Sequence, residues 1–76
     1  MTAADIQSRL QRVWIELEAR QRRGEGLRFS EMQVISGLDD STLRRWVKDQ
    51  VRKRLLEKAG TSKNSPYISL RLERPP

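Results

Sequence analysis

At 76 residues the chain has room for one small core, near the lower limit at which a domain folds without a disulfide or metal staple. It contains neither Cys nor His, which removes thiolate sites, the usual general base and the commonest metal ligand together. Sixteen Lys and Arg against ten Asp and Glu leave a net charge of +6, which favours polyanionic partners by long-range attraction.

These exclusions set the first expectations. A carboxylate-only metal site or a Ser–Lys pair would need pocket walls that so small a core hardly supplies. The chain is therefore expected to be no enzyme, to hold no cofactor or metal and to take no small-molecule ligand. No apolar run is long enough to span a bilayer, and the N-terminus lacks the apolar stretch of a signal peptide. The expected location is the cytoplasm of a cell or host cell, including its nucleoid. Residues 1–73 are expected to form a single domain, with 74–76 as a C-terminal tail.

A first helix is predicted over about 2–23. Ala3, Ile6, Leu10, Val13, Trp14, Leu17 and Gln21 fall on one stripe at 3.6 residues per turn. Thr2 and Asp5 have the spacing of a capping box, and Gly24 with Gly26 marks the end. The pairs Arg12/Glu16, Glu16/Arg20 and Glu18/Arg22 stand four apart and lend surface support. Ile15 points away from the stripe, beside Ala19; it is either a stray surface apolar residue or a contact for a second copy.

Leu27-Arg28-Phe29 reads as an extended link or a brief strand. A second helix follows over about 30–36, with Ser30 as cap and Gln33 in the capping-box position. Met32, Ile35 and Val34 are its candidate buried residues, and Gly37 ends it.

The stretch GLDDSTLRRWVKDQ then starts a third helix over about 40–53. Asp39 suits the N-cap and Asp40 the first turn, where the helix dipole favours negative charge. Two neighbouring carboxylates at a helix start diverge, so punctuation is a better account of them than a catalytic pair. Leu43, Trp46, Val47, Gln50 and Val51 share one face of this helix. Ser41, Arg45, Lys48 and Arg52 share the opposite face, with Arg44 flanking. Such a stripe is either a solvated surface balanced by Asp49 or a row of cations offered to DNA. Trp46 and Trp14 both lie on apolar faces and are assigned to the core rather than to base stacking.

Continued past Lys53, the helix would bring Arg54 onto the apolar face, so the pattern breaks there. A hairpin is predicted instead, with strands over about 54–59 and 66–72 around the polar loop 60–65. Ile68, Leu70 and Leu72 alternate with Tyr67, Ser69 and Arg71, the period-two patterning of a half-buried strand. Pro66 is acceptable as the first residue of that strand. The expected fold is thus mainly α with a small β-hairpin.

On SEMQVISGLDDSTLRRWV the chain resembles the helix-turn-helix of winged-helix DNA-binding domains, and AGTSKNSPYISL is similar to their wing. The resemblance extends from Thr2 to Leu72, with Gln33 standing where the family often has a small residue. It implies a three-helix winged helix-turn-helix whose third helix enters a major groove while the wing touches the neighbouring backbone or minor groove. Under that resemblance Arg44, Arg45 and Lys48 would reach base edges, and Ser41 and Thr42 would bond to phosphates or edges. Arg28, Arg52 and Lys53 would meet phosphates, and Lys63 and Asn64 would be the wing contacts.

The leading expectation is sequence-specific binding of double-stranded DNA by a small transcriptional regulator, with a possible homodimer through Ile15 and Ala19. An architectural, excisionase-like or replication-accessory DNA-binding protein would need the same fold and charges. A winged-helix protein-interaction adaptor is a third class, disfavoured by the basic third helix. RNA binding is a lesser alternative, since single-strand readers usually expose stacking aromatics.

Overall fold

The computed structural model describes residues 2–71, in the order α1 (Ala3–Gln21), α2 (Phe29–Ser36), α3 (Asp40–Arg52), β1 (Leu56–Lys58) and β2 (Tyr67–Ser69). Three helices and a two-stranded antiparallel hairpin make a mainly helical fold, as the patterning predicts. Leu72 of the predicted return strand and the tail 74–76 lie outside the described residues.

α1 begins with the reciprocal cap its sequence announces. The Asp5 N–H donates to Thr2 Oγ1, and the Thr2 N–H donates to Asp5 Oδ2, both at 3.2 Å. Leu10, Val13, Trp14 and Leu17 are its buried stripe, and Ile15 on the far side is 61% exposed. The helix ends at Gln21, two residues before the predicted stop. Of the three predicted ion pairs along it, only Arg20–Glu16 is formed among the described residues, at 2.9 Å. Arg20 also binds Glu31 and so ties α1 to α2, while Glu18 turns toward the hairpin.

α2 starts one residue earlier than predicted, and its cap is different. Arg28 occupies the N-cap position, and its N–H donates to Glu31 Oε1 at 3.0 Å; Ser30 and Gln33 do not form the expected box. An arginine has no acceptor to offer, so only the carboxylate half of a capping box exists here. That N–H, and after it Arg20, holds the Glu31 carboxyl below its ordinary pKa. Met32 and Ser36 are buried, whereas Val34, a candidate for the buried side, is 84% exposed.

A three-residue turn joins α2 to α3. Gly37 adopts φ +67°, the left-handed conformation that costs glycine least, and its N–H closes on the Gln33 carbonyl at 2.8 Å. The Ser36 hydroxyl accepts from the Leu38 N–H at 3.2 Å, and Arg9 of α1 donates to the Ser36 carbonyl at 2.8 Å. Asp39 then caps α3 as expected, accepting from the Thr42 N–H. Leu38 drops into the core beside Leu43 and Val47. Val51 does not join them: it is 42% exposed, so the buried face of α3 is narrower than its apolar pattern. Trp46 is half-buried, edge-on to Trp14 with ring centroids 5.5 Å apart.

After α3 the chain turns through Arg54, whose φ of +62° stops the helix as firmly as the sequence pattern implies. Residues 56–58 are strand, not further helix. Both strands are shorter than predicted, although bonds from Ala59 to Pro66 and from Leu70 to Leu55 extend the ladder. The register pairs Leu56 with Ser69, Glu57 with Ile68 and Lys58 with Tyr67. The alternation along β2 is real, but Tyr67 and Ser69 face the helices, and Ser69 is 2% exposed. Ile68 and Leu70 are only half-buried on the other side. Leu27 adds one rung to the outer edge of β2, exchanging two hydrogen bonds with Tyr67 at 3.0 and 2.8 Å, so the link before α2 does act as a minimal strand. Gly26 makes that approach possible: a Cβ there would lie 2.7 Å from the Pro66 ring.

Candidate nucleic-acid interface

The predicted stripe on α3 is exposed as drawn. Ser41, Arg45, Lys48 and Arg52 all face solvent, opposite Leu43, Val47 and Gln50. The cap residues organise its start: Ser41 Oγ donates to Asp39 Oδ2 at 2.6 Å. This bond first, and then those from Thr42, lower the Asp39 pKa to about 2. The carboxylate is therefore an anionic cap at neutral pH. Among the described residues it carries no cation partner, and its Oδ2 accepts from both Ser41 and Thr42.

The cations of α3 are not equivalent. Arg44 is tethered: its Nε donates to Asp40 Oδ2 at 2.7 Å, and its guanidinium lies 4.8 Å from the centroid of the Phe29 ring. Near the other end Asp49 gathers Lys53 at 2.9 Å and Arg52 at 2.6 Å, and these two, Lys53 foremost, depress its pKa. Among the described residues Arg45 and Lys48 make no ion pair and stand at the centre of the stripe with undivided charge.

Between α3, the start of α2 and the hairpin runs a cleft of about 450 Å³. Arg28, Arg44, Lys48, Lys63 and Asn64, predicted separately along the sequence, line it together. Lys58 completes the cationic wall, its Nζ 5.9 Å from the Tyr67 ring centroid, and Ser30 and Gln33 add hydrogen-bonding groups. Sequence reasoning missed these three. Lys58 could have been found from the hairpin register, since its partner Tyr67 points the same way, but that register is a property of the folded pair. The loop carrying Lys63 and Asn64 is shaped by its serines: Ser65 Oγ accepts from the Ser62 N–H at 3.1 Å, and Ser62 Oγ from the Asn64 N–H at 3.3 Å.

Not every predicted site residue joins this cleft. Thr42, Arg45 and Arg52 border a second groove on the other flank of α3, against α1, and Ser41 and Lys53 line neither. The cleft carries five cations, Arg28, Arg44, Lys48, Lys58 and Lys63, against the single carboxylate of Asp40, and offers several hydrogen-bonding groups. Such a surface suits a polyanion followed over several charges. Among the described residues no group of three His, Cys, Asp or Glu is placed to hold a metal ion, and no helix is long and apolar enough to cross a membrane. Comparison of the chain with protein-family models, with curated proteins and with solved structures finds no match in any of the three.

Proposed function

We propose that this chain binds double-stranded DNA sequence-specifically as a winged helix-turn-helix domain and serves as a small transcriptional regulator. The observation that carries the reading is the cleft in which Arg28, Arg44, Lys48, Lys58 and Lys63 converge from three elements beside the exposed stripe of α3. In this reading α3 lies in the major groove. Arg45 and Lys48, which pair with no carboxylate among the described residues, reach base edges, and Ser41 bonds at the helix start. Arg44, held by Asp40 and Phe29, follows the strand backbone with Arg28, Lys58, Lys63 and Asn64. Arg52 and Lys53 meet phosphates beyond the end of the helix, where exchange of Asp49 for phosphate conserves their ion pairing.

The three-residue turn supports the same reading, because the Arg9–Ser36 bond and the Leu38 anchor fix α3 against the rest of the fold. A footprint this small gains useful specificity by pairing two copies on a two-fold site, and Ile15 with Ala19 on the outer face of α1 is the proposed contact. Such a protein works where DNA is, in the cytoplasm on the nucleoid.

The test is a set of binding titrations at two salt concentrations, with a selected-site duplex and a scrambled duplex of equal length. A preference of roughly a thousandfold or more is the expected result. Tight but indiscriminate binding would replace the regulator with an architectural protein. Absence of binding at low salt would remove the DNA reading altogether.

A further inference from the structure

The second groove, between the first half of α1 and the outer flank of α3, has a different chemistry from the cationic cleft. Its floor is apolar: Leu10 and Leu38 are buried at the base, and Ile6 and Trp46 are only half-covered. Trp46 packs against Trp14 in a T-shaped pair and also lines the groove. Ile6 and Trp46 pack against the core on one side and present their remaining apolar surface beside each other in the groove. The rim is charged and mostly positive, with Arg45, Lys48 and Arg52 set against Asp49, which Arg52 and Lys53 already engage.

The shape narrows the occupant. The α3 side is formed by positions 42, 45, 46, 48, 49 and 52, one flank of the helix that runs about 15 Å at the rise of an α-helix. A groove of about 670 Å³ drawn out along such a face fits two to three turns of an incoming helix better than a compact metabolite. We infer that this groove docks an acidic amphipathic helix of a partner protein, its apolar side chains on Ile6, Leu10, Leu38 and Trp46 and its carboxylates on Arg45 and Arg52. Charge complementarity selects the acidic sequence, and the apolar floor requires the amphipathic one.

The docking site shares Arg45, Lys48 and Arg52 with the surface proposed to meet DNA. That part of the inference rests on the DNA reading. Helix and duplex then compete for the same guanidinium groups, so the partner helix acts as an off-switch that displaces the protein from its site.

The experiment titrates the full chain with a synthetic acidic peptide of about fourteen residues carrying leucines at i, i+3, i+4 and i+7 spacing. A scrambled peptide of identical composition is the control, and the tryptophan emission is the reporter, Trp46 being the one of the two indoles that lines the groove. The patterned peptide is expected to shift the tryptophan emission and to bind about tenfold or more tightly than the scramble. Ile6→Gln should abolish that difference while leaving duplex affinity unchanged. Arg45→Glu should weaken the acidic peptide independently. Equal binding of both peptides, or of neither, overturns the docking site. Failure of the duplex to bind, with peptide discrimination intact, overturns the DNA reading and leaves the groove standing. Where both bind, patterned peptide should release a labelled duplex; simultaneous occupancy overturns the competition.

Discussion

The side-chain amide of Gln21 stands in for a β-strand beside Ser69. Its Nε2 donates to the Ser69 carbonyl at 2.9 Å, and its Oε1 accepts from the Ser69 N–H at 2.6 Å. β2 thereby finds a hydrogen-bonding partner at the last residue of α1, beyond the rung that Leu27 supplies. The Ser69 hydroxyl is occupied as well, donating to Glu18 Oε2 at 3.1 Å and accepting from the Arg71 N–H at 3.0 Å. Arg71 closes the set by lying 4.3 Å from a Trp14 ring centroid. The hairpin is thus held to α1 by polar bonds as much as by Leu56 in the core.

Removing that amide should be costly. Gln21→Leu leaves a donor and an acceptor of a buried residue without partners, an expected loss of about 1–3 kcal/mol. Urea unfolding checks it, with an unchanged m-value expected because the same surface is exposed. A loss near zero would mean that water replaces the amide at Ser69.

Asp39 makes stability depend on pH. Its pKa falls from 3.8 to about 2 on folding, through the Ser41 hydroxyl first and then Thr42. A carboxylate whose pKa is depressed contributes stability that is fully present above the unfolded value and lost as pH drops through the folded one. The loss from this residue therefore falls between about pH 4 and pH 2. Asp39→Asn keeps a capping oxygen and does not titrate, so its acid unfolding limb should be flatter in that window. Carboxyl-detected NMR titration of the wild type should place Asp39 below the ordinary aspartate value of 3.8.

Arg54 holds a left-handed backbone that most L residues avoid, on an exposed side chain. Arg54→Gly is expected to raise stability by about 0.5–1 kcal/mol, because the steric cost of positive φ disappears. Arg54→Val should lower it, since branching at Cβ worsens the same clash. Thermal melts of the two variants should bracket the wild type.

For the proposed interface, Arg45→Ala should remove about 1–3 kcal/mol of preference between selected and scrambled duplexes. Lys63→Ala should weaken both duplexes alike and reduce the salt slope by about one ion. Identical, purely salt-dependent losses in the two variants would argue for non-specific coating.

Ile15→Glu tests the proposed dimer, since Ile15 contributes nothing to the core. Sedimentation with and without the two-fold site is expected to show a two-protomer complex for the wild type and one protomer for the variant. A wild type that stays monomeric on DNA removes the contact.

Much of this molecule is legible in one dimension because its signals are local. The Thr2–Asp5 box, the Asp39 cap, Gly37 in the turn and the Ser41–Arg45–Lys48–Arg52 stripe each depend on residues within a few turns of one another, and the structure has them as read. The errors share a physical origin. Ser30 has the form of a cap, but Glu31 takes the Arg28 N–H while bonded to Arg20 of α1, and α2 starts one residue earlier. Ile68 and Leu70 alternate correctly, yet Gln21 and Glu18 receive Ser69, so the polar side of β2 faces inward. Periodicity reports which residues share a face; which face is buried depends on the partner across the gap. The cleft joining Arg28, Lys58 and Lys63 to α3, and the groove at Trp46, exist only because elements distant in the chain pack side by side, and no local pattern encodes that meeting.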